Sequence, residues 1–339
     1  MKVLIVRFSS IGDIVLTSPV IRCIRQQSGA EVHFLTRERY KDILSHNPHL
    51  AKVYTIRERV NEVIGALRGE CYDAVIDLHN NLRSWQLRLS LPGVAGYGFD
   101  KRNLQKWLMV RTKSTVPPVG HIVARYLEAA APLGIQDDRQ GLEYFIPPGQ
   151  EVDLEAVAQL FPSAGESQLL VRQGQFYAFA IGAAHATKRL PWEKIAEICR
   201  CLDLPVILLG GAQDAGAAQR IISNCPVMVA DGCGKFTLHQ SASVVRQSFR
   251  VITHDTGLMH IAAALRKAVI SVWGSTVPAF GMTPYYPAEV QVYERMFEVK
   301  GLNCRPCSKI GFDRCPKGHF RCMNDIPARE VADAAMRRL

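Results

Sequence analysis

The chain has 339 residues, long enough for two domains that each bury a core. Hydrophobic residues make up 48% and charged residues 21%, the balance of a globular protein, which excludes disorder as the default. Lys and Arg total 41 against 31 Asp and Glu, a net charge of +10 that suits anionic partners: phosphates, nucleic acid or an anionic membrane surface.

No apolar run approaches the roughly 18 to 20 residues needed to span a bilayer. Arg7 falls where an export signal would need its apolar stretch, so the expectation is a cytoplasmic location. Residues 2–8 (KVLIVRF) are an apolar, β-branched run and read as a buried strand. The turn SSIGD follows. Apolar residues at Ile14, Val15, Ile21 and Ile24 predict a helix over 14–27, with Pro19 in its first turn or kinking it. EVHFLT (31–36), KVYTI (52–56) and AVIDLH (74–79) read as further strands. Strands alternating with helices predict a parallel sheet with crossover helices.

From Arg83 to Lys113 there are seven basic residues (Arg83, Arg88, Lys101, Arg102, Lys106, Arg111 and Lys113) against one acid, Asp100, a local charge of +6. A turn-prone stretch from Pro147 to about Arg172, with PPG and SAGES, carries the domain boundary at 165–175. The expected division is 1–168 and 169–339. The same grammar then restarts. FYAFAIG (176–182), PVILLGG (205–211), VMVADGC (227–233), RVITHD (250–255) and AVISVWG (268–274) read as strands, with a helix from Trp192 to Cys201. Ligands of such sheets bind beyond the carboxyl ends of the strands, and a cleft between the two domains is the expected active site.

Three turns carry chemistry. In Ser9-Ser10-Ile11-Gly12-Asp13 a glycine lets the backbone approach a ligand, and Asp13 is either a helix cap or a carboxylate able to remove a proton from an incoming hydroxyl. The turn lacks the G-x-G-x-x-G of dinucleotide folds and the G-K-[ST] of the P-loop, which disfavours NAD binding and ATP hydrolysis. Gly182 to Arg189 (GAAHATKR) joins small residues, the Thr187 hydroxyl and the cations Lys188 and Arg189, ingredients for phosphates. His254 to His260 (HDTGLMH) reads as a strand end, a tight turn and a helix N-terminus. There Asp255 or Thr256 caps the helix, or the exposed N–H groups hold a pyrophosphate with His260 facing the same ligand.

Together these elements resemble glycosyltransferase family 9, the ADP-heptose:lipopolysaccharide heptosyltransferases. MKVLIVRFSSIGDIVLTSPVIRCIR is similar to that family's start, HDTGLMHIAAAL to its nucleotide turn and GAAHATKRLPWEKI to its donor-phosphate loop. DLHNNLRS (77–84) and GYGFDKRN (96–103) resemble its acceptor-domain segments. The resemblance implies a GT-B fold: α/β, two Rossmann-like domains with parallel sheets facing a central cleft, the first for the acceptor and the second for the nucleotide-sugar donor. It implies inverting transfer of heptose from ADP-heptose to a lipopolysaccharide inner-core acceptor, with no metal required for catalysis. Asp13 is then the base. Thr187, Lys188, Asp255, Thr256, Gly257 and His260 form the donor site, with Phe236 near the adenine and Asp214 on the ribose hydroxyls. Ser10, Gly12, Arg83, Lys101 and Arg102 would meet an anionic lipopolysaccharide precursor at the inner face of the inner membrane, where the enzyme would sit as a peripheral protein. The same scaffold moving another sugar or using another acceptor is an alternative.

Six of the ten cysteines (Cys23, Cys71, Cys199, Cys201, Cys225 and Cys233) are scattered and read mostly as buried apolar groups. Cys304, Cys307, Cys315 and Cys322 cluster in a basic segment, where a structural zinc, reduced thiols and disulfides are all open readings. His319 is a competing ligand. With a pI near 9.2, the cluster also prompts a rival class, a zinc nucleic-acid-binding protein, although no nucleic acid is expected as a partner of a glycosyltransferase.

Overall fold

The computed structural model describes residues 1–114, 117–161, 165–225 and 228–338. Two sheets, both wholly parallel, divide between two compact units. The first runs β1 (Lys2–Val6), β2 (Glu31–Arg37), β3 (Lys52–Ile56), β4 (Ala74–Asp77) and β5 (Ala95–Gly98) in the spatial order β3-β2-β1-β4-β5. The second runs β6 (Tyr177–Ala180), β7 (Val206–Leu209), β8 (Val229–Asp231), β9 (Arg250–His254), β10 (Val269–Trp273) and β11 (Glu294–Glu298) in the order β11-β10-β9-β6-β7-β8. Val3 to Val6 and Val206 to Leu209 are wholly buried, because helices cover both faces of a parallel sheet.

In each sheet the chain moves outward from its first strand and then returns to that strand's other side. The order therefore reverses between β1 and β4, and again between β6 and β9. Such reversals open a crevice at the carboxyl ends of the two central strands. All three chemical turns sit there: Ser9 to Asp13 after β1, Gly182 to Arg189 after β6, and Asp255 to Gly257 after β9.

The helix expected over 14–27 is two helices, Ile11–Val15 and Ser18–Ser28. Pro19 is the second residue of the latter, where its missing N–H costs nothing. Two strands lie outside the expected set. β5, AGYG, is half exposed and half glycine; β11, ERMFE, is an edge strand carrying three charges. Val227, the start of one expected strand, lies outside the described residues, as do Ser163 and Ala164 of SAGES. The units also differ from a single cut at 168. Residues 104–119 and 146–168 belong with the second unit, and 285–290 with the first.

Candidate active site

In the first unit the end of β1 holds Asp13 in an ion pair. Its Oδ1 lies 2.7 Å from the Arg7 guanidinium, and its Oδ2 accepts the Ser10 N–H at 3.1 Å and the Ser10 hydroxyl at 2.7 Å. The N-cap of the short helix is Ser10, and Asp13 closes the turn from the third helical position. Arg7 is itself pinned, donating to the carbonyls of Ser9 and Leu78 at 2.6 Å each. Burial works against ionisation of Asp13, but the Arg7 charge and the Ser10 bonds outweigh it and hold the carboxyl below the usual carboxylate range. At neutral pH Asp13 is an anion.

Around this pair stand residues that sequence reading does not single out. Arg7 lies 5.8 Å from the Tyr126 ring centroid, and the buried Tyr126 hydroxyl has no hydrogen-bond partner among the described residues. His79 packs edge-on against Phe8 at 5.1 Å, and burial together with Arg7 and Lys101 lowers its pKa to about 3, so it is neutral. The buried carboxylate of Asp77 sets the loop that carries His79, accepting the N–H groups of His79 and Asn80 at 3.0 and 2.7 Å. In the sequence Arg7 shows only as a strand-end cation, with nothing to mark it as the partner of Asp13, and Tyr126 has no signal at all.

The expected acceptor residues are placed less uniformly. Gly12 is buried inside the Ile11–Val15 helix. Arg83 stacks over Phe8 at 5.8 Å. Lys101 acts on His79 through its charge. Arg102 pairs with Asp100 at 3.2 Å, which neutralises much of what it offers an anion.

In the second unit Lys188, in the turn Ala186–Lys188, reaches Asp255 after β9: Nζ to Oδ2 is 2.5 Å. The same oxygen accepts the Thr276 hydroxyl at 2.8 Å. The Gly257–Ala264 helix begins beside it at Thr256, and no side chain caps that start. A free turn of N–H groups beside an oriented ammonium is an anion site. Phe236, half-buried beyond β8, lies against Gly232, where an added Cβ would come within 3.1 Å of its ring.

Three of the expected donor residues are buried. Thr187 is buried, and its hydroxyl accepts from the Ser275 hydroxyl at 2.9 Å and the Phe312 N–H at 2.8 Å, so it joins two loops. Asp214 is buried as well. It accepts the Gly211 N–H at 2.9 Å and pairs with Arg189 at 3.1 Å, holding the turn after β7. His260, the fourth residue of the same helix, is buried at 2% exposure.

The cysteine-rich tail is wired into this loop system. Arg305, buried, donates to the carbonyls of Gly274 and Thr276 at 2.5 and 2.9 Å, and Cys307 donates its N–H to the Ser275 carbonyl at 2.9 Å. Gly274 has no room for a side chain, since a Cβ would lie 2.6 Å from the Thr187 carbonyl oxygen. All ten cysteines are free, and of the six scattered ones Cys71 is exposed. The four tail thiols are electrostatic neighbours, each of the other three raising the pKa of Cys322 after burial has done so. No three of them come within 4.8 Å of one another. Among the described residues only Glu31, His33 and Glu70 do, and Lys2 and Lys52 already neutralise Glu70.

The model of glycosyltransferase family 9 (heptosyltransferase) matches residues 60–309. Lipopolysaccharide heptosyltransferase 1 of Campylobacter coli is 24% identical over 81% of this chain and 84% of its own length. A family 9 glycosyl transferase structure from Veillonella parvula superposes with a TM-score of 0.73, covering 98% of this chain and 96% of that one at 20% identity. The Escherichia coli heptosyltransferase WaaC with ADP superposes with a TM-score of 0.61 at 25% identity, covering 87% of this chain and 93% of that one.

Proposed function

Because the chain belongs to glycosyltransferase family 9, the heptosyltransferase family, and is a glycosyltransferase of GT-B fold, we propose that it moves a heptose from ADP-heptose, with inversion, to an inner-core acceptor of lipopolysaccharide. The observation that carries this reading is the ionised Asp13 at the β1–β4 reversal, combined with Lys188 and an uncapped helix start at the β6–β9 reversal.

In the proposed reaction an acceptor hydroxyl passes its proton to Asp13. Its oxygen bonds to the anomeric carbon as the bond from that carbon to the diphosphate breaks, and ADP leaves with the electron pair from the opposite face. A carboxylate already charged at neutral pH is in the state a base requires. Arg7 orients it and, by stabilising the anion, limits its basicity. Negative charge grows on the leaving diphosphate, where Lys188 and the N–H groups at Thr256 to Leu258 stabilise it. The half-buried Phe236 ring offers the adenine an apolar face. No step requires a metal. A structural zinc held by Cys304, Cys307, Cys315 and Cys322 is compatible with the residue types, and binding would draw the thiols closer than they stand.

The test is a thermal-shift panel of nucleotides and nucleotide sugars with the wild type and Asp13→Asn. ADP and ADP-heptose should stabilise both proteins, whereas Asp13→Asn should lose about 10²- to 10⁴-fold in turnover. Stabilisation by another nucleotide series in place of ADP would overturn the donor assignment. Undiminished turnover in Asp13→Asn would overturn the role of the base.

A further inference from the structure

Two helices turn apolar side chains toward solvent. On Leu82–Leu89 the buried positions are Ser84 and Leu87, and the opposite face presents Leu82, Trp85 and Leu89 at 86, 56 and 63% exposure. On Asn103–Thr112 the buried position is Met109, which packs with Val119, Val277 and Phe280. Its outer face presents Leu104, Trp107 and Leu108 at 72, 54 and 45% exposure. The spacings, i, i+3, i+7 and i, i+3, i+4, are those of a helical stripe that ordinarily faces a core. Among the described residues nine large apolar side chains are at least 45% exposed, and six of them lie on these two short helices. That concentration marks faces meant to be covered.

The charge around the stripes identifies the cover. Exposed Arg111 continues the second stripe one turn on, and Lys106 and Lys113 flank it. The whole stretch from Arg83 to Lys113 carries +6. A protein partner would match an apolar face with an apolar face and gain little from so much uniform charge. Trp and Leu ringed by Lys and Arg match the boundary of an anionic bilayer, where the indole sits at headgroup level and the cations meet lipid phosphates. Neither helix can cross a membrane, so each would lie in the interfacial plane.

We propose that Leu82, Trp85 and Leu89 on one helix, and Leu104, Trp107 and Leu108 on the other, insert into the surface of an anionic lipid bilayer. The inference rests on exposure and charge and does not depend on which sugar the enzyme moves. It goes beyond the transferase reading by specifying which residues bind the membrane.

The experiment is co-sedimentation of the full chain with vesicles of phosphatidylcholine alone, or of phosphatidylcholine with one-third phosphatidylglycerol. The wild type should pellet with the anionic vesicles and be released by added salt. Trp85→Ser with Leu89→Ser, and Trp107→Ser with Leu108→Ser, should each weaken binding by roughly tenfold or more, and the four together should abolish it. Arg111→Glu, which leaves both apolar faces intact, should weaken it by roughly five- to tenfold. Because all of these side chains are exposed, melting temperature and ADP binding should be unchanged in every variant. That control separates failure of this proposal from failure of the transferase reading. No binding of the wild type to anionic vesicles, equal binding to both vesicle types, or undiminished binding of the four-fold variant would each overturn it. So would a stable dimer in solution that the same substitutions dissociate.

Discussion

Lys188 and Asp255 share a single 2.5 Å contact across the ends of β6 and β9, and Thr276 holds the same carboxylate oxygen from beyond β10. A carboxylate tied up in this way fixes the direction of the ammonium. In the proposed reaction the pair divides its labour: Lys188 meets the diphosphate and Asp255 positions it.

Lys188→Met should accordingly weaken ADP binding by at least about tenfold, the scale of one lost charge-assisted hydrogen bond. Asp255→Asn keeps the Thr276 bond and the cation. It should leave ADP affinity within about threefold while lowering turnover by roughly tenfold or more, as Lys188 loses its aim on the leaving group. Calorimetric ADP titration and steady-state rates on both variants separate the roles. Equal loss of ADP affinity in the two variants would place Asp255 directly on the nucleotide.

In the proposed reaction Arg7 sets the acid limit. It holds the Asp13 carboxyl below its ordinary range, so the base stays charged well into acid. In Arg7→Met that support is gone and burial is opposed by the Ser10 bonds alone, which raises the pKa of Asp13. The acid limb of kcat/KM should move to higher pH. A pH–rate profile that keeps its acid limb would show that another group titrates.

Asp13 also shows what can be read in advance. The residue, its glycine and the strand before it are legible because β1 is a continuous buried apolar run and the turn stands out against it. The partner that defines its chemistry is not, because Arg7 looks like an ordinary strand-end cation until its three contacts are seen. The Lys188 and Asp255 turns are legible as two local motifs, but their mutual contact is set by the β6–β9 pairing, which links residues 67 apart in sequence. Residue type alone points Thr187 and Asp214 to the donor. Their burial and saturated hydrogen bonds are decided by the tail and by the glycines after β7, neither of which a local pattern reveals. β5 and β11 lack the hydrophobic signal because one is glycine-rich and the other a charged edge.

His254 should make the second unit acid-sensitive. It is fully buried; desolvation first, then Arg189, lower its pKa from the ordinary value to about 3, and its Nε2 accepts the Leu190 N–H at 3.1 Å. The unfolded chain binds this proton below about pH 6.5 and the folded chain does not. Stability contributed by the neutral ring is therefore complete above about pH 6.5 and falls as pH drops from there toward 3, by up to about 1.4 kcal/mol per unit. Denaturant midpoints for wild type and His254→Gln across that window should converge as pH falls. Parallel curves would exclude His254 as the source.

The tail thiols give a metal prediction. Chelator-treated protein should take up one equivalent of zinc per chain, and Cys304→Ser with Cys307→Ser should abolish the uptake, as read by elemental analysis and thiol titration. Zinc removal should lower the melting temperature without eliminating turnover, since no thiol is assigned to the reaction. Four freely titrating thiols and no uptake would leave them as reduced cysteines.

The Thr187 hydroxyl, bonded at once to Ser275 and to Phe312, gives the tail a standing that its position late in the chain conceals. The segment that would ordinarily be trimmed to improve crystals or expression braces the loops that carry Lys188 and Ser275. A truncated chain ending before Cys304 would keep every residue expected to touch ADP and both complete sheets. It would nonetheless lose the bonds that hold Lys188 in place, together with the Arg305 contacts that fix the end of β10. Its failure to bind nucleotide would then signal a missing brace and not a missing ligand contact.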